Sequence, residues 1–253
     1  MSLIANEILK LRRTHLWTVI LGLPATSVGL GALNCMANQG ALSRGWTSLW
    51  SQYGLFHGLL FLTLAIAVLA SAVWRQEHRG NNWNLLLTSP RSISGLLGAK
   101  IAVLGGIVLA MQLVFVGLGI TVGTVLGVSG PLPWSLPATA MVTVLPGVAV
   151  AAWQSLLSMV IRNFAAPVGV ALLASVVSVG VVASQIPVVT YLLPPALVFR
   201  TSSLGSAAVA DAGALSASAV MGVAVASTLL AVLAWGLAVA LVRARDVRAA
   251  STA

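Results

Sequence analysis

Long apolar stretches separated by short polar ones make up most of the chain. Six of them are long enough for an α-helix to cross a bilayer, which takes about 20 apolar residues. The pattern predicts an all-α polytopic membrane protein with six transmembrane helices, organised as a single transmembrane domain over residues 1–253. The predicted helices cover residues 16–37, 54–74, 101–128, 137–161, 166–186 and 215–242.

A different pattern occupies residues 1–15, where apolar residues recur at helical spacing and polar residues such as Glu7 fall on other faces. This spacing fits an amphipathic helix lying on the membrane surface. In the alternative, Lys10, Arg12 and Arg13 are only a positive flank of the first span. The apolar positions of the predicted surface helix are Leu3, Ile4, Ile8 and Leu11.

Composition supports the membrane assignment. Residues of the set AVILMFWYC form 59% of the chain and charged residues 7%, whereas soluble domains carry about 25% charged residues. Folding cannot hide that much apolar surface in a 25.9 kDa protein. A soluble globule is therefore excluded. The single cysteine, Cys35, excludes an internal disulfide and a metal site built from cysteines.

The net charge of +9 reflects topology rather than nucleic-acid binding, because the sequence has no soluble basic domain. Basic residues collect in short cytoplasmic loops of membrane proteins. If both termini are cytoplasmic, only Arg44 and Arg200 of the 13 Lys and Arg residues lie outside. We therefore predict cytoplasmic N and C termini and a multi-pass protein of a bacterial inner or plasma membrane.

Two connecting segments stand out. Residues 75–100 form the one long charged stretch and are predicted to be a cytoplasmic loop. Residues 187–214 contain Pro187, Pro194 and Pro195, too many breaks for a lipid-exposed span. They are predicted to form an extracellular cap with re-entrant or interfacial helices.

Ionisable residues are absent from the middle of every predicted span, and His57 falls near the outer end of its span. Proton-coupled carriers use intramembrane carboxylates or histidines as relays, so this class is disfavoured. Residues 95–100 lack the spacing of a phosphate-binding loop. We predict that the chain is not an enzyme and that it holds no cofactor. Trp46, Trp50 and Tyr53 precede the second span and suit an interfacial aromatic belt.

Small and polar residues within the spans allow more than one interpretation. Gly119, Gly123 and Gly127 recur every four residues and favour close helix packing, within the subunit or between two copies. The polar residues lie deep in the third and fourth spans, where they either hydrogen-bond between helices or line a substrate path. They are Gln112, Trp153 and Gln154.

The 75–100 segment also contains apolar residues at helical spacing. Residues 81–89 can form a short helix that presents Trp83 and Leu86, and Pro90 ends it. A short helix with exposed apolar residues suits either lipid headgroups or a groove of a soluble partner.

At this segment the sequence resembles a known family. A span ends in Arg75-Gln-Glu77-His-Arg79-Gly80, the run Asn81 to Pro90 follows, and Lys100 opens the next span. With the Tyr191-Leu-Leu-Pro194 segment before the last span, the whole chain resembles the membrane subunits of bacterial ABC-2 type exporters. It is most similar to the branch that includes lantibiotic-immunity and antibiotic-export permeases.

The resemblance implies a partnership. Two permease copies, identical or similar, would assemble with two separate ABC ATPase subunits, which hold ATP and Mg²⁺. The implied ATPase-coupling residues are Arg75, Glu77, Arg79, Trp83, Leu86 and Pro90, and the N-terminal helix with Ile4, Glu7, Ile8 and Leu11 would be a second contact.

The implied cargo is a hydrophobic or amphipathic substrate, such as an antimicrobial peptide or drug, because the predicted interior is uncharged. Two alternatives stay open: a lipid or glycan as cargo, and a membrane scaffold or sensor that moves nothing. Membrane lipid is a further expected partner, and nucleic acid is not.

Overall fold

The computed structural model describes residues 3–12, 16–40, 42, 45–79, 92–206 and 213–251. Within those residues the regular structure is entirely helical, which confirms the all-α fold class. A π-helical turn, His57–Phe61, joins α3 to α4. The helices are α1 Leu3–Arg12, α2 Trp17–Ala37, α3 Trp46–Phe56, α4 Leu62–His78, α5 Ile93–Val125, α6 Ser135–Val142, α7 Val144–Val160, α8 Ala165–Ala183, α9 Pro187–Leu192, α10 Pro194–Ser202 and α11 Ala217–Ser251.

Six helical segments in the described residues are long and apolar enough to cross a membrane. This confirms the six predicted transmembrane helices. Helices α3 and α4 act together as the second span and α6 and α7 as the fourth. The six are Trp17–Ala37, Trp46–His78, Ile93–Val125, Ser135–Val160, Ala165–Ala183 and Ala217–Ala244.

The second and third spans are longer than the sequence pattern predicted. Each has 33 residues, which at 1.5 Å per residue is about 50 Å, against about 30 Å of hydrocarbon in a bilayer. Residues 75–78 and 93–100 are therefore helical, and their assignment to a loop was wrong. Ser92 begins α5 because its side chain accepts a hydrogen bond from the Gly95 backbone N–H at 3.2 Å.

The second and fourth spans form the centre of the bundle. Burial covers 61% of the most apolar stretch in each, but only 22% to 33% in the other four spans. Helix α4 packs against α7, α8, α2 and α5, and α7 in turn packs against α11. The outer helices direct large apolar side chains such as Leu33, Leu173 and Leu229 away from the protein. These surfaces suit contact with lipid.

An even number of spans brings both termini to one end of the bundle. We call it the basic end, because it collects the described basic residues Lys10, Arg75, Arg79, Lys100, Arg162 and Arg243. Arg200 lies on α10, between the far end of α8 and the beginning of α11. That the basic end faces the cytoplasm stays a prediction.

Aromatic residues and glycines lock α3 onto α5 near the opposite end. Trp46, Trp50 and Tyr53 are buried in α3, so the predicted interfacial belt was wrong. A Cβ at Gly119 would lie 3.2 Å from the Trp50 ring, and a Cβ at Gly123 would clash with Trp46. The two glycines therefore pack within the subunit, which decides between the two packing alternatives.

Gly127 does not belong to that packing stripe. It has a φ of +70° and ends α5. The Val128 N–H bonds to the Gly123 carbonyl at 3.1 Å and the Gly127 N–H to the Thr124 carbonyl at 3.0 Å, the pattern of a glycine-terminated helix. The helix stops before a third glycine can face the aromatic cluster.

Helices α9 and α10 occupy most of the predicted cap segment. Proline begins each of them, where its missing N–H costs nothing. Helix α10 is almost completely buried and packs against α8, α7 and the π-helical turn. A Cβ at Gly58 would lie 2.5 Å from the Ser202 side chain, so a glycine is required where α10 crosses the second span. Non-helical backbone at membrane depth is tolerated where it is buried in protein. The burial of α10 is compatible with the predicted re-entrant segment.

The contact between α2 and α3 gives a direct test of this packing. A Cβ at Gly31 would lie 2.7 Å from the Tyr53 backbone nitrogen, whereas a Cβ at Gly29 on the same helix meets nothing within 4 Å. Gly31→Ala should lower the thermal unfolding midpoint in detergent, at a cost of about 1–3 kcal/mol, because backbone cannot move aside cheaply. Gly29→Ala should leave it unchanged or raise it. Equal midpoints for the two variants would contradict the packing.

Candidate functional site

Four oppositely charged side chains meet at the basic end, and we call them the ion cluster: Glu7, Lys10, Glu77 and Lys100. Lys100 Nζ lies 2.7 Å from Glu7 Oε2 and 2.7 Å from Glu77 Oε1. Lys10 Nζ lies 2.9 Å from Glu7 Oε1 and 2.7 Å from Glu77 Oε1. The Lys100 side chain is fully buried, whereas 38% of the Lys10 side chain is exposed.

The ion cluster is tolerable in this position because it is electroneutral. An isolated buried charge costs several kcal/mol, and two ammonium groups here balance two carboxylates. Each lysine donates hydrogen bonds to both glutamates. The Lys100 ammonium also lies 5.3 Å from the Trp74 ring centroid, and the ring's negative face attracts it.

Three separate elements supply the ion cluster. Glu7 and Lys10 come from α1, Glu77 from the last turn of α4, and Lys100 from α5, two turns after it begins. The cluster therefore fastens the N-terminal helix to the basic ends of the second and third spans. Removing either glutamate would leave a buried ammonium short of a partner.

Lys10, on the exposed side of the ion cluster, is charged at neutral pH because its pKa is raised. Burial lowers the pKa of Lys10, but hydrogen bonds to Glu77 and Glu7 outweigh that effect and raise it above its ordinary 10.5. Because the pKa of Lys10 is raised in the folded state, the contribution of its charge to stability is not lost until the pH rises above 10.5, through the higher folded value.

Hydrogen bonds extend from the ion cluster across the basic end. Trp74 Nε1 donates to Ser155 Oγ at 2.7 Å and joins α4 to α7. His78 Nε2 donates to the Ser158 carbonyl at 2.8 Å, since the carbonyl can only accept. Trp235 Nε1 of α11 donates to the Ser94 carbonyl of α5 at 3.1 Å. Five helices at the basic end are thus tied together.

The sequence-predicted coupling residues have different surroundings in the structure. Glu77 is in the ion cluster. Arg75 is exposed, with its guanidinium carbon 5.7 Å from the Phe164 ring centroid, and Arg79 is exposed where α4 ends. Trp83, Leu86 and Pro90 lie outside the described residues.

The predicted N-terminal helix is present as α1, Leu3–Arg12. Ile4 and Ile8 are exposed, and Glu7 is buried against the protein. Leu11 belongs to the helix, but its side chain lies outside the described set. That Ile4 and Ile8 contact the membrane stays a prediction, and the exposed apolar face is compatible with it.

A second polar site lies deeper in the bundle. His57 is buried where the π-helical turn begins, with Nδ1 3.1 Å from Ser27 Oγ and Nε2 3.0 Å from Gln112 Oε1. The Phe115 ring stacks on the imidazole with centroids 4.1 Å apart. Because the second span begins at Trp46, His57 is the twelfth of its 33 residues. Its place near the outer membrane surface stays a prediction.

Gln112 forms the interhelical hydrogen bond that one sequence interpretation expected. It also lines a cavity of about 10 Å³ together with His57 and Ser202, which is about the space of one water molecule. Trp153 packs instead with the apolar residues around Val223 and Leu230, and Gln154 is buried with no partner for its Oε1 among the described residues. A substrate path along these residues stays a prediction.

Sequence reasoning missed Lys10 and Lys100 as members of a buried site. The signals were present: Glu7 and Lys10 are three residues apart on one helix, and Ser92 is a helix-capping residue before the apolar positions Leu97 and Leu104. Beginning α5 at Ser92 puts Lys100 on the same buried face as those two leucines. A lysine on an apolar helix face requires an acidic partner.

Comparison with known proteins yields one family. The sequence model of a protein family, described as ABC-2 family transporter protein, matches residues 3–178. These residues include α1, the first four spans and most of α8. The matched segment contains all four residues of the ion cluster. No curated protein matches the chain.

The ion cluster predicts unequal roles for its two lysines. Lys100→Met should destabilise the protein by about 3–5 kcal/mol, because it leaves two buried carboxylates with one partly exposed ammonium between them. Lys10→Met should cost about 1 kcal/mol or less, since Lys100 still bonds both carboxylates. Thermal unfolding of both purified variants would measure the difference. Similar losses would show that the cluster is not organised around Lys100.

Proposed function

The chain belongs to the ABC-2 transporter family, and from this premise we propose that it is the transmembrane permease subunit of an ATP-driven exporter. In this proposal a partner ATPase subunit binds and hydrolyses ATP. Residues 95–100, the nearest approach to a phosphate-binding loop, lack its spacing. Two copies of this chain, or this chain and a similar one, assemble with two ATPase subunits that hold ATP and Mg²⁺.

The observation that carries this proposal is the ion cluster. An ATPase in the cytoplasm can move the permease only through surfaces outside the hydrocarbon. The exposed face of α1 and residues 75–90 are those surfaces in our proposal. Because Glu7 and Glu77 both bond Lys100, a displacement of α1 is transmitted to α4 and α5 together.

Transmission then follows the long helices. Helix α4 extends over 17 residues from His78 to Leu62, about 25 Å, and there it meets the π-helical turn His57–Phe61. It is central in the bundle and contacts α2, α5, α7 and α8. A tilt imposed at the basic end reaches every one of these helices, and rigid-body motion of packed helices is a common form of switching.

The proposed cargo is a hydrophobic or amphipathic compound, such as an antimicrobial peptide or drug, taken from the membrane or cytoplasm. Two observations support it. The described ionisable side chains gather at the basic end, apart from Cys35, His57, Arg200 and the two tyrosines. The deep cavity beside Gln112 has space for only about one water molecule, so cargo could pass Gln112 only if the helices around it moved.

A lipid or glycan is the second candidate cargo, because the lipid-facing surfaces of α8 and α11 do not discriminate by themselves between amphipathic molecules. A membrane scaffold or sensor that moves nothing can be distinguished from both transport hypotheses by measuring flux. Efflux that depends on ATP supports transport, and regulation of a partner without flux supports the scaffold.

Coupling can be tested with Glu7→Gln. This variant retains both Glu77 pairs and so keeps the end of α4 bound to α5, but it weakens the link of α1 to Lys100. With its ATPase co-expressed and the complex reconstituted in proteoliposomes, we expect ATP hydrolysis stimulated by cargo to fall roughly tenfold, since a charged hydrogen bond contributes about 1.5–3 kcal/mol.

The control is Arg200→Gln, which removes a charge from α10, away from the ion cluster, and should leave stimulation unchanged. Size-exclusion chromatography must show that both variants still form the complex. Normal stimulation in Glu7→Gln would contradict coupling through α1. Failure of any ATPase to co-purify with the wild-type chain, with neighbouring genes co-expressed, would favour the scaffold.

A further inference from the structure

A basic groove at the basic end is separate from the ion cluster. It lies between the last turns of α4 and the short connection from α7 to α8, and its polar lining consists of Arg75, His78, Arg162 and Asn163 with Ser71 and Ser158. The His78 bond to the Ser158 carbonyl holds its two walls together. This bond joins the end of α4 to the end of α7. The groove is shallow and has no space for a water molecule, so a ligand would bind at its surface.

The positive charge of this groove is not balanced by the acidic residues that the structure describes. The chain has four Asp and Glu residues. The two with described side chains, Glu7 and Glu77, are both bound by Lys10 and Lys100. No described carboxylate forms an ion pair with Arg75 or Arg162. Both guanidinium groups are exposed, so the groove presents two donors that can bind a phosphate through charge-assisted hydrogen bonds.

The groove lies where a membrane presents such anions. Helix α7 ends at Val160 and α8 begins at Ala165, so Arg162 marks the end of two membrane-spanning helices. The guanidinium of Arg75 is held over the Phe164 ring, 5.7 Å from its centroid. Basic pockets between transmembrane helices at this depth match the phosphate level of a leaflet.

An apolar track leads away from the groove along α8. Val170, Leu173 and Val177 are spaced along one helix face and are 42%, 70% and 56% exposed. A phosphate held by the two arginines would place its acyl chains on this track. Inorganic phosphate would satisfy the same two arginines but would leave the track uncovered, so the combination favours a lipid.

We propose that the groove between α4 and the α7–α8 connection is a binding site for an anionic phospholipid. Arg75 and Arg162 bind its headgroup phosphate, and the exposed face of α8 holds an acyl chain. The site shares Arg75 with the surface proposed for the ATPase, but lipid binding requires neither the ATPase nor the cargo and can be tested on the permease alone.

The test uses the full-length chain purified in detergent, stripped of lipid and titrated with phosphatidylglycerol. Native mass spectrometry counts bound lipid, and the thermal midpoint reports stabilisation. We expect saturable binding of phosphatidylglycerol, with weak or no effect of phosphatidylcholine or inorganic phosphate. The variant Arg75→Gln/Arg162→Gln should weaken binding roughly 30-fold.

Arg200→Gln is the matched control, because Arg200 also lies over an aromatic ring, 5.4 Å from the Tyr191 centroid, but away from the groove. It should bind phosphatidylglycerol like the wild type. Arg75→Lys/Arg162→Lys should retain part of the affinity, and unchanged circular dichroism must accompany each loss. If the Gln double variant misfolds, Arg162→Gln alone carries the comparison.

Four results would overturn the proposal. Equal loss in Arg200→Gln would mean a general effect of charge. Equal binding of phosphatidylcholine would mean a lipid surface without headgroup recognition. Stabilisation by inorganic phosphate equal to that by phosphatidylglycerol would mean a free-anion site. Loss of self-association in the Gln double variant with normal lipid binding would make the groove an interface between permease copies.

Discussion

Lys100 is fully buried near the end of a bundle made almost entirely of apolar residues, and it has to be neutralised there. Two carboxylates from different helices do so, and each is in turn held by Lys10. The consequence is geometric, because a charge can be satisfied only at hydrogen-bond distance. The electrostatic requirement therefore fixes where α1 lies and how the second and third spans are related at the basic end.

The two ends of the bundle are held by different physical interactions. Near the far end, glycines at positions 119 and 123 let α5 approach the rings of α3, and Gly58 lets α10 cross the second span. Such contacts depend on shape and resist any change of spacing. At the basic end, charge pairs and hydrogen bonds from Trp74, His78 and Trp235 join the helices. Directional polar contacts can be exchanged for others, which suits the end where a soluble partner would act.

Between the two ends, the central position of the second span has a functional consequence. It carries Glu77 at one end, His57 inside the protein and Trp46 at the other end, so it contributes to the ion cluster, to the buried histidine site and to the aromatic cluster. The π-helical turn at His57–Phe61 interrupts its regular hydrogen bonding beside the Ser27, His57 and Gln112 contacts. Such turns are frequent at functional sites. The second span packs against the first, third, fourth and fifth spans, so a movement of this span would displace four of its neighbours.

The sequence by itself determined that the protein lies in a lipid bilayer and how many of its helices can cross it. Apolar runs of about 20 residues and 7% charge leave no soluble alternative, and the family resemblance around Glu77 was carried by residues that can be read in order. Local rules also predicted the N-terminal helix α1 and the interruption of the chain at Pro187 and Pro194, where two short helices begin. Only the tertiary structure decided which residues are buried partners. Periodicity cannot tell a lysine at the mouth of a span from one inside the bundle, because that depends on carboxylates 93 and 23 residues away in the chain. The same holds for Trp46, whose burial depends on a glycine in another span, and for Gly127, where one positive φ ends the helix. Contacts between residues far apart in the chain depend on how the helices pack, and no single segment of the sequence determines that packing.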